Sequence, residues 1–106
     1  MDAASPTVDA EGFLRDLDAW SPETASVIAA RENITLTPAH WEIIDLVRRY
    51  YHRYDSAPSM RPLVKYCAIE LGKEKGKSLY LLSLFPGSPA KLVSKIAGLP
   101  KPPNCL

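Results

Sequence analysis

Proline placed directly after serine or threonine is the feature that most constrains the fold of this chain. Three such pairs each precede a segment whose apolar residues have helical spacing: Ser21-Pro22, Thr37-Pro38 and Ser88-Pro89. A hydroxyl side chain at the N-cap accepts a hydrogen bond from a free backbone N–H. Proline suits the first turn because the N–H that it lacks would be unpaired there. The three pairs therefore predict three helix starts.

The spacing of apolar residues predicts five helices joined by short loops. The expected ranges are 22–31, 38–54, 59–71, 78–85 and 89–97. The fourth range, SLYLLSLF, is ambiguous between a buried strand and a helix, and its helical neighbours favour a helix. Upstream, turn residues between short apolar flanks at 6–14 predict a small β-hairpin. We expect a mainly α fold: one small orthogonal helical bundle over residues 1–98, with an N-terminal β-hairpin and a flexible C-terminal arm.

The second predicted helix has an apolar stripe and a basic face. The stripe consists of Trp41, Ile44, Val47, Tyr51 and Tyr54, and the more exposed face carries Arg48, Arg49 and Arg53. Tyr50, Tyr51 and Tyr54 beside these arginines could offer nucleic acid an aromatic and basic surface. Core packing is a simpler explanation of tyrosines at helical spacing.

The last eight residues, LPKPPNCL, cannot be helical because three prolines remove backbone donors and fix φ. We expect residues 99–106 to form an extended arm with a thiol next to its end. At about 3.1 Å per residue in the polyproline II conformation, the nine residues from Gly98 onward could reach about 28 Å from the domain.

The two cysteines differ in their surroundings. Cys67 is on the apolar stripe of the third predicted helix, where a buried and inert thiol is expected. Cys105 is one residue from the C-terminus, where packing hardly requires a cysteine. An exposed thiol with a pKa of about 8.5 is mostly protonated at neutral pH. We therefore expect a partner's pocket to activate the Cys105 thiol. Such a thiol suits the transfer of a group between proteins.

Other chemistries have weaker support in the sequence. His40 and His52 with two distant cysteines do not give the spacing of a zinc site, and no phosphate-binding glycine motif is present. We therefore expect neither a metal nor a cofactor. A Cys–His dyad that includes Cys105 would lack rigid support, and His40 is expected to be a helix-terminus or packing residue. Two cysteines, no secretory signal and no long apolar run indicate a cytoplasmic protein.

Charge is distributed unevenly along the chain. Residues 1–60 contain five basic and ten acidic side chains, a balance of −5, whereas residues 61–106 contain eight basic and two acidic ones, a balance of +6. Solvated helix faces explain any single lysine. A basic end could also meet an acidic protein or a nucleic acid. On that reading Lys91, Lys95 and Lys101 would steer the arm to its partner.

Four segments resemble the TusE/DsrC family of sulfur-carrier proteins. They are LTPAHWEIIDLVRRYYHRY (36–54), APSMRPLVK (57–65), LFPGSPAK (84–91) and KIAGLPKPPNCL (95–106). The resemblance implies a helical domain with a β-hairpin and a flexible arm whose penultimate cysteine, Cys105, carries sulfur. In the branch that serves dissimilatory sulfite reductase, the arm has a second cysteine, and Ser94 occupies that position here. The sequence is therefore more similar to the TusE branch.

That branch implies a sulfurtransferase in a relay that thiolates the wobble uridine of tRNA. Cys105 would accept a persulfide from a TusBCD-like complex and pass it to an MnmA-like thiouridylase, with tRNA as a further candidate contact. Two alternatives remain open. One is a DsrC-like carrier in dissimilatory sulfur metabolism, which Ser94 disfavours because a hydroxyl cannot close a disulfide. The other is a non-catalytic adaptor whose arm only docks.

Overall fold

The structure, a computed structural model, describes residues 6–104. Within them lie five α-helices: α1 (Pro22–Arg31), α2 (Pro38–Tyr54), α3 (Met60–Leu71), α4 (Ser78–Leu84) and α5 (Pro89–Ile96). A short 3₁₀ helix, Leu17–Ala19, precedes them. The prediction of a mainly helical fold is confirmed, and the ambiguous segment SLYLLSLF is the helix α4.

The helix starts use proline as expected but are capped by different groups. The Ser21 hydroxyl accepts a hydrogen bond from the Thr24 N–H at 3.2 Å, so α1 has the predicted N-cap. At α2 the Thr37 N–H donates instead to Nδ1 of His40, at 3.1 Å. Because Nδ1 accepts, Nε2 carries the proton and donates to the Leu84 carbonyl at 2.9 Å. The prediction that His40 is a helix-terminus and packing residue is confirmed, and its ring joins the start of α2 to the end of α4.

The predicted N-terminal β-hairpin is wrong, because residues 6–104 contain no β-strand. The chain does turn back on itself, but only one isolated antiparallel bridge forms, between Val8 and Leu14. The Asp9 N–H donates to the Phe13 carbonyl at 2.8 Å, as in a ladder. The Phe13 N–H, however, donates to the Asp9 carboxylate at 2.9 Å. The Arg15 N–H also donates to the Thr7 carbonyl at 3.0 Å, which completes the bridge. The side chain of Asp9 takes the donor that the reciprocal bond from Phe13 to the Asp9 carbonyl would need, so the ladder extends no further.

The inward stripe of α2 is as predicted except at its end. Ile44 and Val47 are buried, and Trp41 and Tyr51 are partly buried against the core. Tyr54 was expected on the same stripe but is 51% exposed. It is the last residue of α2, where the chain turns away through Asp55 in the left-handed conformation. At that point Tyr54 no longer faces the core.

Helix α5 occupies the centre of the bundle, since each of the other helices packs against it. Six of its eight residues are buried. Most of the core residues around it are aliphatic, and Leu81 and Phe85 close the core from the α4 side with no exposed area. The last element before the arm is therefore the one that the rest of the domain encloses.

A glycine ends α5 and sets the direction in which the chain leaves it. Gly98 has φ of 73°, a left-handed conformation that favours glycine. Its N–H donates to the Lys95 carbonyl at 3.2 Å, and the Leu99 N–H donates to the Ser94 carbonyl at 2.9 Å. This pair of bonds is the Schellman arrangement, which satisfies carbonyls that a helix end would leave unpaired.

Two side chains from distant parts of the sequence satisfy the next carbonyls of α5. The indole N–H of Trp20 donates to the Ile96 carbonyl at 2.9 Å, and Nη1 of Arg48 donates to the Ala97 carbonyl at 2.7 Å. The Arg48 guanidinium also stacks on the Trp20 ring, 3.7 Å from its centre. Arg48 was expected on the exposed face of α2 but is half-buried here. The root of the arm is thus held by groups from α2 and from the segment before α1.

Replacing Gly98 by alanine should destabilise the protein strongly. A Cβ at this position would lie 2.7 Å from Cγ of Trp20, and closer still to Cδ1, in addition to the strain of the left-handed φ. We expect a loss of about 3 kcal/mol or more in the free energy of unfolding, measured by urea denaturation. Gly87→Ala is the matched control, because Gly87 also has a positive φ but nothing within 4 Å of its would-be Cβ. The control should lose about 1 kcal/mol, and equal losses would contradict a close Gly98–Trp20 contact.

Candidate functional site

The predicted sulfur-carrying residue, Cys105, lies outside the described residues, which end at Asn104. The structure therefore shows the site through the segment that leads to Cys105, residues 98–104. We call this segment the described arm. Its path decides from where on the domain the thiol is presented.

The described arm is non-helical, as predicted, and lies against the domain rather than projecting from it. Leu99 is 3% exposed and Pro102 is also buried, whereas Pro100 and Pro103 face solvent. The chain turns at residues 103 and 104, where Asn104 has φ of 61°. The buried residues Leu99 and Pro102 thus anchor the described arm to the domain.

An ion-pair cluster around Glu11 holds the middle of the described arm. Nζ of Lys101 lies 3.1 Å from Oε2 of Glu11 and 3.3 Å from Oε1. Nζ of Lys91, on α5, lies 3.2 Å from the same Oε2. Hydrogen bonds from Lys101 and then Lys91 hold the pKa of Glu11 below its ordinary value. Exposed ion pairs contribute little to stability, so the cluster fixes the position of the arm more than it stabilises the fold.

A cleft borders the end of the described arm. Its volume is about 460 Å³, and Asn104 forms part of its wall. The opposite side comes from the start of α3, from α4 and from the start of α5, including Met60, Leu82 and Pro89. The residue that precedes Cys105 is therefore placed beside an apolar cleft of the domain.

The lysines expected to steer the arm are engaged within the protein. Lys91 and Lys101 share Glu11, and Nζ of Lys95 lies 3.2 Å from Oε2 of Glu32. The Lys95 side chain is only 11% exposed. All three lysines pair with carboxylates from the first half of the chain. The positive charge of the second half is therefore partly neutralised within the fold. Their main visible role is to hold the arm and α5 in place.

Ser94, at the position of the second arm cysteine in the resembling branch, is inside the core. It has no exposed area, and its Oγ has no hydrogen-bond partner in the described part of the chain. A hydroxyl cannot form a disulfide, and burial also separates this one from any partner. Nothing at Ser94 can act as a second sulfur-handling group.

Cys67 is the one cysteine that the structure describes, and it is fully buried in α3. Burial, and to a smaller extent the nearby Glu42 carboxylate, raises the pKa of its thiol to about 11. A thiol with such a pKa has almost no thiolate at neutral pH, and only the thiolate is a good nucleophile. The prediction that Cys67 is buried is confirmed, and its raised pKa is consistent with an inert thiol.

The sequence did not identify three residues that hold the arm: Trp20, Arg48 and Glu11. Trp20 and Ile96, which it caps, are 76 residues apart, and Arg48 and Ala97 are 49 apart. No local pattern indicates such contacts. The only sequence signal was the charge asymmetry, which made Glu11 one of many acidic candidates for a lysine.

No cluster of three or more histidine, cysteine, aspartate or glutamate side chains lies in a position to bind a metal within residues 6–104. None of the helices there is long and apolar enough to cross a membrane.

The sequence is similar to known sulfurtransferases over almost its whole length. A family model described as DsrC like protein matches residues 1–106. Sulfurtransferase TusE of Sodalis glossinidius is 52% identical over 100 residues, which cover 94% of this chain and 93% of that protein. Sulfurtransferase TusE of Escherichia coli K12 is 49% identical over 98 residues, which cover 92% and 90%.

Solved structures share the same fold. DsrC of Allochromatium vinosum, determined by NMR, superposes with a TM-score of 0.85 at 50% identity, covering 93% of this chain and 88% of that one. The oxidized gamma-subunit of the dissimilatory sulfite reductase, DsrC, from Archaeoglobus fulgidus gives 0.81 at 40% identity, covering 95% and 92%. Identities of 50% and 40% indicate membership of the same family as well as a shared fold.

The raised pKa of Cys67 predicts a specific loss of stability at alkaline pH. Between pH 9 and 11 the unfolded chain loses the Cys67 proton while the native protein keeps it. The free energy of unfolding therefore falls as the pH rises through this range. Relative to Cys67→Ala, the wild type should lose about 2–3 kcal/mol of unfolding free energy over this range, measured by guanidinium denaturation. Lysines and tyrosines titrate in both proteins and cancel in the difference. A difference that stays constant with pH would contradict the burial of the thiol.

Proposed function

The chain belongs to the DsrC-like family, and on that premise we propose that it is a sulfurtransferase that carries sulfur as a persulfide on Cys105. The observation that carries the proposal is identity of about half of all residues to sulfurtransferases along nearly the full chain. Cys67 is buried and protonated, which leaves Cys105 as the thiol available for transfer.

The transfer needs no oxidant or cofactor. The Cys105 thiolate attacks the outer sulfur of a donor persulfide, the donor's S–S bond breaks, and the donor cysteine leaves as a thiolate. Cys105 then carries the persulfide. An acceptor thiolate attacks its terminal sulfur, and Cys105 returns to a thiolate. Each step forms one S–S bond and breaks one, so sulfur moves without a net change of oxidation state.

The domain contributes placement rather than an enclosed catalytic site. The capped end of α5, the buried Leu99 and the Lys101–Glu11 pair fix where the arm starts and runs. The two buried anchors and one exposed ion pair are a small contact, which a partner that binds the arm can replace. The thiol is activated in the partner's pocket, since a cysteine with an ordinary pKa of about 8.5 is mostly protonated at neutral pH.

We place the protein in a cytoplasmic relay for thiolation of the tRNA wobble uridine. A TusBCD-like complex is the donor and an MnmA-like thiouridylase, with its tRNA, is the acceptor. Support comes from the curated relatives, which are TusE sulfurtransferases. Ser94 adds support, because a carrier with one arm thiol must hand its sulfur to another protein.

A DsrC-like carrier in dissimilatory sulfur metabolism is the second candidate. The close superposition on DsrC of Allochromatium vinosum favours it. It requires release of sulfur through a second cysteine, and the residue at that position, Ser94, is a buried serine. The first candidate accounts for the single arm thiol and the second does not.

Mass spectrometry after a sulfur-loading reaction tests the proposal. The purified protein is incubated with a cysteine desulfurase, cysteine and the upstream carriers. The wild type and Cys67→Ala should each gain one sulfur atom, whereas Cys105→Ser should gain none. Cys67→Ala is the matched control because it also removes one thiol. Sulfur that persists on Cys105→Ser, or a wild type that gains none, would remove the proposal and leave an adaptor role.

A further inference from the structure

We propose that the outer face of α2 and α3 binds single-stranded nucleic acid, with phosphates on arginines and bases on tyrosines. The face, here termed the Arg–Tyr surface, consists of Arg49, His52, Arg53, Tyr50, Tyr54 and Tyr66. Part of it, Arg49, His52, Arg53 and Tyr66, lines a groove of about 610 Å³ together with Arg48. This inference requires neither Cys105 nor persulfide transfer.

The three tyrosines of this surface form a cluster at the edge of the core, against which Tyr66 packs. The rings of Tyr50 and Tyr54 are 4.6 Å apart, and Tyr66 meets both edge-on, at 5.2 and 6.5 Å. Tyr51 packs against the core, but Tyr50 and Tyr54 do not. None of the cluster's hydroxyls makes a hydrogen bond within residues 6–104. Core packing, the simpler explanation of tyrosine spacing, therefore accounts for Tyr51 and Tyr66 and leaves Tyr50 and Tyr54 unexplained.

The arginines of the surface are less engaged than the lysines near the arm. Arg49 is 54% exposed on its side chain and reaches Glu70 only at 3.9 Å, the outer limit of an ion pair. Arg53 lies 5.5 Å from the centre of the Tyr54 ring, and no carboxylate pairs with it in the described residues. Within residues 6–104, Glu70 is the acidic side chain that pairs with the surface, and Asp45 acts on Arg48 beside it, against two arginines and an exposed His52. The surface thus keeps a positive charge that the fold does not neutralise.

Arginine beside a partly exposed tyrosine cluster, with Tyr54 half-exposed, fits a single strand better than other polyanions. Arginine binds phosphate, and bases stack on aromatic rings only where the strand is unpaired. An acidic peptide would use the charges but not the rings, and a duplex would keep its base faces stacked. The tyrosine cluster is therefore what selects the ligand class.

The Arg–Tyr surface is next to the root of the arm. Arg48 lies at the edge of the groove and donates to the Ala97 carbonyl at the end of α5. A strand bound there would lie beside the residues from which the arm starts. The same helix, α2, thus supports both the arm and the proposed binding face.

Fluorescence anisotropy with the full chain tests this inference. The probes are labelled twelve-residue oligouridylate and oligothymidylate, a duplex RNA of equal length and a polyglutamate peptide, each at two salt concentrations. Arg49→Gln/Arg53→Gln should weaken single-strand binding at least about tenfold and reduce the slope of log K against log salt by about 1.4. Arg61→Gln/Lys65→Gln is the matched control, since it removes the same charge from exposed residues that line a different groove.

The aromatic contribution has its own variants. Tyr54→Ala should weaken single-strand binding about tenfold with little change in the salt slope, whereas Tyr54→Phe should bind as the wild type. Tyr54 is half-exposed at a helix end, so both variants should fold, which circular dichroism checks. Stronger binding of oligouridylate than oligothymidylate would assign the surface to RNA, and equal binding to single strands of either sugar. Equal weakening by the control pair, tighter binding of duplex or polyglutamate, or no binding of any single strand would overturn the proposal.

Discussion

The capped C-terminal end of α5 is the interaction on which the rest of this structure depends. Trp20 and Arg48 each satisfy a carbonyl there, and their stacked side chains also close the bundle around the helix. Unpaired carbonyls at a buried helix end would be costly. Because Gly98 follows directly, the same contacts that finish the core also decide where the arm begins. Folding of the domain and placement of the arm therefore depend on the same contacts.

Charge acts across the two halves of the chain rather than at one end of it. Glu11, Glu32 and Glu42 from the acidic half pair with lysines from the basic half. These pairs bring the N-terminal turn, α1 and α2 to the segments after Gly72. Besides exposed basic residues of the second half such as Arg61 and Lys65, positive charge also remains on arginines of α2, within the half of the chain that is acidic overall. Net charge by segment was thus a poor guide to where the free positive surface lies.

Local rules predicted the helices because their signals are local. Ser/Thr-Pro pairs, helical apolar spacing and terminal glycines are read within a few residues, and burial of Cys67 follows from its place on an apolar stripe. The hairpin prediction was wrong because the Asp9 carboxylate accepts a hydrogen bond from the Phe13 N–H. Composition does not reveal such a competition for a backbone donor. Arg48 was expected to be exposed and is half-buried, whereas Tyr54 was expected to face the core and is exposed. Both depend on neighbours far along the chain, which spacing alone cannot specify.

The central claim is that sulfur passes through Cys105 alone, on an arm whose root the domain fixes. The 2-thiouridine content of tRNA in cells that lack the wild-type chain tests this claim most directly. Cells supplied with Cys67→Ala should have wild-type levels, and cells supplied with Cys105→Ser should have no more than the deletion strain. Wild-type levels of 2-thiouridine with Cys105→Ser would contradict it.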